Sequence, residues 1–153
     1  MEIQVSGKNG KYTVVDKNGK LLYNVKKKGF GAKFNLMDIN NYNLYTLVQT
    51  GSSKSPTFTI ILNDNVFMVM QCTSLYLDPS FKVRHKTMNF EINSKNRKDF
   101  DIILDGKNVG SIKTLVAVTG DLQYHVTIEN TAFDDYIPLF AVAVDRAFGE
   151  MNK

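Results

Sequence analysis

The sequence predicts an all-β fold with one central helix, in which a closed antiparallel sheet surrounds an apolar helix near the C-terminus. Three features support this prediction: runs that alternate apolar and polar residues, turn residues between these runs, and one segment that is apolar on nearly every side. Alternation with a period of two residues is typical of a strand with one buried face. Many short strands at near-regular spacing are typical of a barrel or a sandwich.

The alternating runs predict about a dozen strands, each with an ordinary length of about five to nine residues. The clearest run lies at residues 123–129, where every second residue is apolar. Residues 11–16, 58–62 and 99–104 alternate in the same way. Residues 67–72 are apolar at both sets of alternating positions. We therefore expect this stretch to form a strand that is covered on both faces.

Turn residues separate the runs. The Asn-Gly pairs at residues 9–10 and 18–19 supply the positive φ angles that tight hairpin turns need. Asn, Asp and Gly at residues 63–65 and 105–108 indicate two further turns. Residues 51–56 are rich in Gly and Ser, and we expect them to form the longest polar loop.

The segment after the last run predicts a helix from about Asp135 to Phe148. A surface helix has a polar face, whereas a helix that is apolar all round must be enclosed. This one is too short to cross a bilayer, which takes roughly 20 apolar residues. We expect it to fill a closed sheet, with Asp134 or Asp135 as N-cap, Pro138 in the first turn and Gly149 as the stop signal.

The 153 residues have the length of one domain, and we expect one domain over residues 1–153. The net charge of +4 favours an anionic partner such as a phosphate, nucleic acid or a membrane surface. A lone cysteine, Cys72, is typical of a reducing compartment. The first residues contain no apolar run. We expect no secretory signal, no transmembrane segment, and a cytoplasmic location that includes peripheral binding at the inner membrane face.

Several motifs in this order resemble a known family. They are YTVVDKNGKLLYNV at residues 12–25, FNLMDIN at residues 34–40, DGKNVGSI at residues 105–112 and LFAVAVD at residues 139–145. Together they resemble the LURP-one-related family, in a bacterial-type member, over roughly residues 11–148. The resemblance implies the fold of the tubby C-terminal domain and of phospholipid scramblases, which is a twelve-stranded antiparallel barrel around a central apolar helix.

The resemblance also suggests a class of ligand. Tubby domains bind membrane phosphoinositides through basic side chains, and scramblases act on lipids. LURP-one-related proteins have no settled biochemical activity that the resemblance would transfer. Many of them carry a tryptophan before the last strand, whereas this chain has none. A site built on that aromatic residue is therefore not expected here.

One basic stretch is the strongest candidate for a binding site. If Phe81 and Val83 face inward, the cations between and after them share the outer face, where they would contact phosphate oxygens. The candidate residues for binding an anionic lipid or phosphate are Lys82, Arg84, Lys86, Lys95, Arg97 and Lys98. The alternative is a solvated basic face that keeps the barrel soluble. A second, weaker candidate is a phosphate loop at residues 26–31, where three lysines precede Gly-Phe-Gly; its alternative is a bulged hairpin loop.

No catalytic motif or metal-ligand spacing is apparent. His85 and His125 are the two histidines and have no nearby cysteine, and Cys72 lies in an apolar run. We predict a protein without enzymatic activity, cofactor or metal. The leading functional hypothesis is a non-catalytic module that binds anionic phospholipid or a phosphate-bearing ligand. The alternative is an intracellular protein-interaction or scaffold domain, and nucleic acid is a less favoured third partner.

Overall fold

Within residues 1–152, which the structure describes, a computed structural model of the chain has twelve β-strands followed by one α-helix. The strands are β1 (Glu2–Lys8), β2 (Lys11–Asp16), β3 (Leu21–Lys27), β4 (Lys33–Asp38), β5 (Asn43–Ser52), β6 (Ser55–Leu62), β7 (Asn65–Ser74), β8 (Ser80–Arg84), β9 (Asn89–Ser94), β10 (Asp99–Leu104), β11 (Lys107–Val116) and β12 (Leu122–Ile128). A 3-10 turn over Asn130–Ala132 leads to helix α1 (Ile137–Phe148). A second 3-10 segment, Gly149–Asn152, follows the helix.

The strands form a closed barrel with the simplest possible order. Each strand pairs antiparallel with its neighbours in the sequence, and β1 pairs with β12 to close the sheet. Closure leaves no strand edge free to pair with another chain. The predicted closed antiparallel barrel of about twelve strands around a C-terminal helix is confirmed.

Most of the predicted turns are tight hairpins with left-handed backbone. Asn9 and Gly10 have φ angles of 54° and 76°, and Asp105 and Gly106 have φ angles of 48° and 86°. Two consecutive residues with positive φ give a hairpin whose twist matches that of the strands. These turns could be predicted because two adjacent residues determine each of them.

The predicted long loop at residues 51–56 is wrong. Strand β5 continues to Ser52 and β6 begins at Ser55, so only two residues connect them. Gly51 has a φ angle of +82°, and a Cβ there would lie 2.7 Å from the carbonyl oxygen of Ser55. The glycine therefore permits a close hairpin, and the small polar residues that suggested a loop lie at the ends of two long strands.

Helix α1 is the plug of the barrel. Its buried residues are Ile137, Pro138, Leu139, Phe140, Ala141, Val142, Ala143, Val144 and Phe148. They meet the inward side chains of the strands in one apolar core. Aromatic rings supply much of the contact: the ring of Phe140 lies edge-on to that of Phe90 at 5.1 Å, and Phe148 stacks on Phe100 at 5.5 Å. The prediction of an enclosed helix is confirmed.

The start of the helix differs from the prediction, whereas its last residue agrees with it. The helix begins at Ile137, its N-cap is Tyr136, and no side chain caps it. Asp135 instead accepts a hydrogen bond from the Tyr23 hydroxyl of β3, a partner too distant in the sequence to be foreseen. Helix α1 ends at Phe148 with Gly149 as its C-cap, as predicted, although Gly149 has a right-handed backbone, with φ of −59°.

Strand β7 also differs from the prediction, because its outer face is not covered. Met68, Met70 and Cys72 are buried inside the barrel, whereas Val69 is half-buried and Gln71 is exposed on the outside. A closed barrel surrounded by solvent buries one face of each strand. The apolar residues on the outer face of β7 led to the wrong prediction that both faces of this strand are covered.

The order of the strands determines which connections lie together. In an antiparallel barrel with sequential strands, every second connection lies at the same end. The end where helix α1 begins is termed the lower end, and the end where it finishes is termed the upper end. The six connections at the upper end are termed the upper rim. They are residues 9–10, 28–32, 53–54, 75–79, 95–98 and 117–121.

Candidate functional site

The structure places the six predicted cations in two separate groups. Phe81 and Val83 are buried, so Lys82 and Arg84 point outward from β8, as predicted. Lys86 lies in the next connection, at the lower end. The other three cations, Lys95, Arg97 and Lys98, lie on the upper rim.

Strand β9 (Asn89–Ser94) separates the two groups, and its six residues extend for about 20 Å at the rise of a β-strand. The six cations therefore do not face one ligand. Glu91 lies directly across from Lys82 in the register and offsets part of its charge. The group on β8 is thus less suited to an anion than the sequence suggested, while the group at residues 95–98 belongs to a larger basic surface.

Arg97 differs from its neighbours because its guanidinium is already engaged. Its Nε and Nη2 atoms donate to the backbone oxygen of Tyr76 at 3.1 and 2.6 Å. The Arg97 backbone oxygen in turn accepts a hydrogen bond from the Asn152 side chain. Arg97 therefore joins two rim connections and the segment after the helix, and it fixes the position of the rim more than it offers a free charge.

Charge is divided between the two ends of the barrel. For each connection of the upper rim we also include the two strand residues on either side. The cations of this set are Lys8, Lys11, Lys26, Lys27, Lys28, Lys33, Lys54, Lys95, Arg97 and Lys98, and its acids are Asp78, Asp99 and Asp121. Asp145 and Arg146 of the plug, and Glu150 of the 3-10 segment after it, also lie at this end. The lower end carries the acids Glu2, Asp16, Asp38, Asp64, Asp105, Glu129, Asp134 and Asp135 and the cations Lys17, Lys20, Arg84, Lys86 and Lys107. The upper rim is thus basic and the lower end acidic.

Three lysines of the upper rim form a row across adjacent strands. Lys8 on β1 lies directly opposite Lys11 on β2, and Lys11 lies directly opposite Lys26 on β3. Side chains in such positions have Cβ atoms about 4.5–5.5 Å apart, and like charges there destabilise a sheet. Within residues 1–152 the structure gives none of the three an ion pair. An anion bound along this lysine row would relieve the repulsion.

A groove of about 450 Å³ lies beside the lysine row. Lys8 and Lys11 form one side of it, and Thr13 and Thr119 add hydroxyl groups. Asp121 also lines the groove, on the side away from β2. The groove therefore carries a negative charge as well as the two positive charges of Lys8 and Lys11. The hydroxyls and ammonium groups are hydrogen-bond donors for phosphate oxygens.

The plug forms a buried polar cluster just below the upper rim. The carboxylate of Asp145 accepts hydrogen bonds from the hydroxyls of Tyr12, at 2.6 Å, and Tyr124, at 2.7 Å. Burial, followed by the charge of Asp145, raises the pKa of both hydroxyls well above the usual range for tyrosine. A Cβ at Gly149 would lie 2.7 Å from the Asp145 Oδ1 atom. The glycine that ends the helix therefore also leaves room for this carboxylate.

Arg146 extends the polar cluster toward the rim. Its Nε atom donates to the side chain of Gln49 at 3.3 Å, and its guanidinium lies 5.4 Å from the centre of the Phe34 ring. A guanidinium at this distance from an aromatic face gains a cation–π attraction. Both contacts hold the last turn of the helix against β4 and β5.

The other residues considered as candidates lie apart from one another. Cys72 is buried on the inner face of β7, and burial raises the pKa of its thiol. His85 packs against the ring of Phe67 at the lower end. His125 lies on the outer face of β12, directly opposite Gln4 of β1. No helix within residues 1–152 has the length and apolar character needed to cross a bilayer.

A family model described as LURP-one-related matches residues 3–145. The chain belongs to this family. It is similar in fold to a solved X-ray structure of an Arabidopsis thaliana protein, with a TM-score of 0.64 and 17% sequence identity, covering 99% of this chain and 91% of the other. A comparison with curated proteins finds no match. The family assignment made from the sequence motifs is confirmed.

Sequence reasoning missed the lysine row of this LURP-one-related protein. Lys8, Lys11 and Lys26 are spread over three strands, and only the pairing of those strands brings them together. The sequence did contain a usable signal. Since consecutive connections of a sequential barrel alternate between its ends, numbering the predicted turns would have assigned residues 9–10, 28–32 and 95–98 to one end.

Proposed function

We propose that this LURP-one-related protein is a non-catalytic module that binds anionic phospholipid or another phosphate-bearing ligand through its upper rim. The observation that carries the proposal is the division of charge between the two ends of the barrel. An exposed end whose cations outnumber its acids raises the local concentration of anions and orients the protein toward them.

The side chains of the upper rim suit phosphate oxygens. The ammonium group of lysine is a strong donor to phosphate, and the lysine row offers three such groups side by side. The groove beside it adds hydroxyl donors from Thr13 and Thr119. Resemblance to tubby domains and scramblases adds support from the fold alone, which is an analogy and not evidence of a site.

Charge alone gives weak and reversible binding. Each cation near an anionic leaflet contributes about 1 kcal/mol. If four to six cations of the rim reach the surface at once, their sum of about 4–6 kcal/mol corresponds to a dissociation constant between about 1 mM and tens of micromolar. Since exposed charges are screened by salt, binding should fall steeply as ionic strength rises.

The test is co-sedimentation with lipid vesicles at low and moderate salt. We expect binding to vesicles that contain phosphatidylserine, no binding to vesicles of phosphatidylcholine alone, and loss of binding as salt is added. Inorganic tripolyphosphate added as a competitor separates the two sources of phosphate: displacement at low concentration indicates a site for a free phosphate compound. Absence of sedimentation and of tripolyphosphate binding at low salt would contradict the proposal.

Two matched variants locate the surface. The triple variant Lys8→Gln/Lys11→Gln/Lys26→Gln removes the lysine row, and Lys82→Gln/Arg84→Gln/Lys86→Gln removes the same number of charges from the group that the sequence favoured. We expect the first variant to lose at least tenfold in vesicle binding and the second to change much less. Equal loss in both would mean that net charge, and not the upper rim, governs binding. If vesicles do not bind but one protein partner is retained at high salt, the scaffold alternative gains support.

A further inference from the structure

Three connections of the upper rim carry large apolar side chains that are fully open to solvent. Phe30 is 103% exposed, Leu77 is 84% exposed and Val118 is 108% exposed. Single exposed apolar residues are common on protein surfaces and need no explanation. These three, however, stand at loop tips, and they share one end of the barrel.

Their order around the rim is regular. The apolar tips lie in the connections β3–β4, β7–β8 and β11–β12, which alternate with β1–β2, β5–β6 and β9–β10. The alternate connections, or the strand residues beside them, carry cations: Lys8, Lys11, Lys54, Lys95, Arg97 and Lys98. Four strand spacings separate one apolar tip from the next, which places the tips about 20 Å apart in a twelve-stranded barrel. The β3–β4 connection itself adds Lys26, Lys27, Lys28 and Lys33, whereas the connections of Leu77 and Val118 carry the acids Asp78 and Asp121. The rim therefore carries three apolar points within a surface of net positive charge.

The backbone holds these tips outward. Phe30 lies between Gly29 and Gly31, whose φ angles of 61° and 91° are left-handed, and its side chain is fully exposed. The same loop borders a depression of about 370 Å³ on the outer wall of the barrel, which Val48 and Asp64 also line. Below Phe30 the loop is closed by a hydrogen bond from the Lys28 amide to the Lys33 carbonyl. The β11–β12 connection is closed in the same way, from the amide of Ala117 to the carbonyl of Asp121.

The middle tip is held by its basic neighbour. Arg97, from the adjacent connection, donates two hydrogen bonds to the backbone oxygen of Tyr76. The Ser74 hydroxyl donates to the backbone oxygen of Leu77. The tip is therefore fixed by contacts made below it, while the Leu77 side chain remains exposed.

We propose that the upper rim docks flat on an anionic lipid bilayer, with Phe30, Leu77 and Val118 inserted at the level of the headgroups and the basic connections between them in contact with lipid phosphates. This inference rests on the proposed function and specifies its ligand as a membrane surface, not a free phosphate compound. Apolar side chains that enter the boundary of headgroups and acyl chains, together with attraction to anionic lipids, are the two contributions by which peripheral proteins bind membranes. Charge alone was too weak to hold the protein firmly, and the tips supply the second contribution.

The lower end offers a built-in comparison. It also exposes apolar residues, among them Ile39, Tyr42 and Val66. These lie beside Asp38 and Asp64, at the end where acids outnumber cations. Leu77 and Val118 also have acids nearby, Asp78 and Asp121, but cations outnumber acids at the upper rim. An anionic bilayer would repel the lower end, so the orientation of the protein on the membrane is determined.

The absence of tryptophan from the chain makes the orientation measurable. Single substitutions Phe30→Trp, Leu77→Trp and, as the control at the lower end, Tyr42→Trp each create one fluorescent reporter at an exposed position. The probe is vesicles of phosphatidylcholine and phosphatidylserine, with and without brominated acyl chains. We expect a blue shift and quenching by brominated lipid for Phe30→Trp and Leu77→Trp, and neither for Tyr42→Trp.

A second pair of variants measures the contribution of the tips. Phe30→Ser/Leu77→Ser/Val118→Ser should bind vesicles at least tenfold more weakly than the wild-type chain, while Ile39→Ser/Tyr42→Ser/Val66→Ser should bind as the wild type does. Because all six side chains are exposed, both variants should melt within a few degrees of the wild type, in accord with the small effect of surface substitutions.

The outcomes separate this inference from the proposed function. If the protein sediments with anionic vesicles but the rim reporters are not quenched, or if the Tyr42→Trp reporter is quenched instead, the docking orientation is wrong while lipid binding stands. If the triple serine variant binds as the wild type does, insertion is likewise refuted. If the wild-type chain binds tripolyphosphate but does not sediment with anionic vesicles, membrane docking fails while the proposed function stands. If it binds neither, both proposals fail.

Discussion

The cluster of Asp145 with Tyr12 and Tyr124 allows a sharp test of what holds the plug in place. One carboxylate serves two hydroxyls, at 2.6 and 2.7 Å, and both tyrosines are almost wholly buried. The Asp145→Ala substitution would leave both hydroxyls without an acceptor. An unsatisfied buried polar group costs about 1–3 kcal/mol, so two of them cost about 2–6 kcal/mol of unfolding free energy.

The surroundings narrow this range. A polar cavity of about 260 Å³ at the upper end reaches both Tyr12 and Asp145. A cavity of this kind can admit water that bonds in part to the hydroxyls. We therefore expect Asp145→Ala to destabilise the protein by about 2–4 kcal/mol, in the lower half of the range. Asp145→Asn keeps one acceptor and adds one donor, so its loss should be smaller, about 1–2 kcal/mol, from exchange of charge-assisted hydrogen bonds for neutral ones.

The decisive variant removes the hydroxyls as well. Adding Tyr12→Phe and Tyr124→Phe to Asp145→Ala takes away both halves of each hydrogen bond, which can be nearly neutral. This triple variant should be more stable than Asp145→Ala alone. Urea unfolding measures all the variants, with the slope against denaturant checked for constancy so that the midpoints can be compared. A triple variant less stable than Asp145→Ala, or an Asp145→Ala variant within 0.5 kcal/mol of wild type, would refute the account, because either result would mean that the hydroxyls are already hydrated.

Three further predictions concern the barrel. Phe140→Ala should cost about 3–5 kcal/mol in urea unfolding, because the ring is fully enclosed and leaves a cavity; a cost below 1 kcal/mol would contradict a packed plug. Gly110→Ala should lower stability by about 1–3 kcal/mol, because its Cβ would lie 2.2 Å from the Thr127 carbonyl oxygen; an unchanged melting temperature would exclude that close approach. Burial raises the pKa of Tyr136 to about 12, and the pKa of Tyr124 is raised as well. For each of these tyrosines the pKa in the folded protein is above the unfolded value of 10.0. The neutral tyrosine therefore contributes its full stability below pH 10, and the free energy of unfolding falls as the pH rises above 10, by about 1.4 kcal/mol per pH unit for each buried tyrosine. Urea unfolding at pH 9 and pH 11 measures this loss of unfolding free energy. We expect a smaller loss in Tyr136→Phe than in the wild type. An equal loss in the two proteins would mean that Tyr136 ionises freely in the folded protein.

The sequence predicted the barrel well because the signals for it are local. Alternation along one strand and an Asn-Gly pair between two strands each span a few residues, and the apolar helix is one uninterrupted segment. The start of the helix was mispredicted because a distant residue intervenes. Asp135 is typical of an N-cap, but its carboxylate accepts a hydrogen bond from the Tyr23 hydroxyl of β3. Gly149 does end the helix, and the sequence did not reveal that it also leaves room for the Asp145 carboxylate.

The spatial grouping of the candidate cations could not be predicted from the sequence, for a geometric reason. Lys86 and Lys95 are nine positions apart in the sequence, which suggested one basic stretch. A single strand, β9, carries the chain from one end of the barrel to the other between them. The lysine row shows the converse, since Lys8 and Lys26 are distant in the sequence and lie on neighbouring positions of the sheet through Lys11. Distance along the sequence therefore did not show which cations share a surface. Counting the connections does, because odd-numbered and even-numbered connections lie at opposite ends of the barrel.

The plug also constrains the order in which this protein can assemble. All twelve strands precede helix α1 in the chain, and every pairing except that of β1 with β12 joins strands that are neighbours in sequence. A sheet that closed first would surround an empty space and would have to reopen to admit the helix. We expect the β1–β12 seam to form last, with the helix already seated, and pulsed hydrogen exchange during refolding should protect the amides of β12 after those of β5 and β6. Until the helix becomes available, the growing sheet exposes its apolar inner face, and this is the period in which a newly made chain is most prone to aggregate.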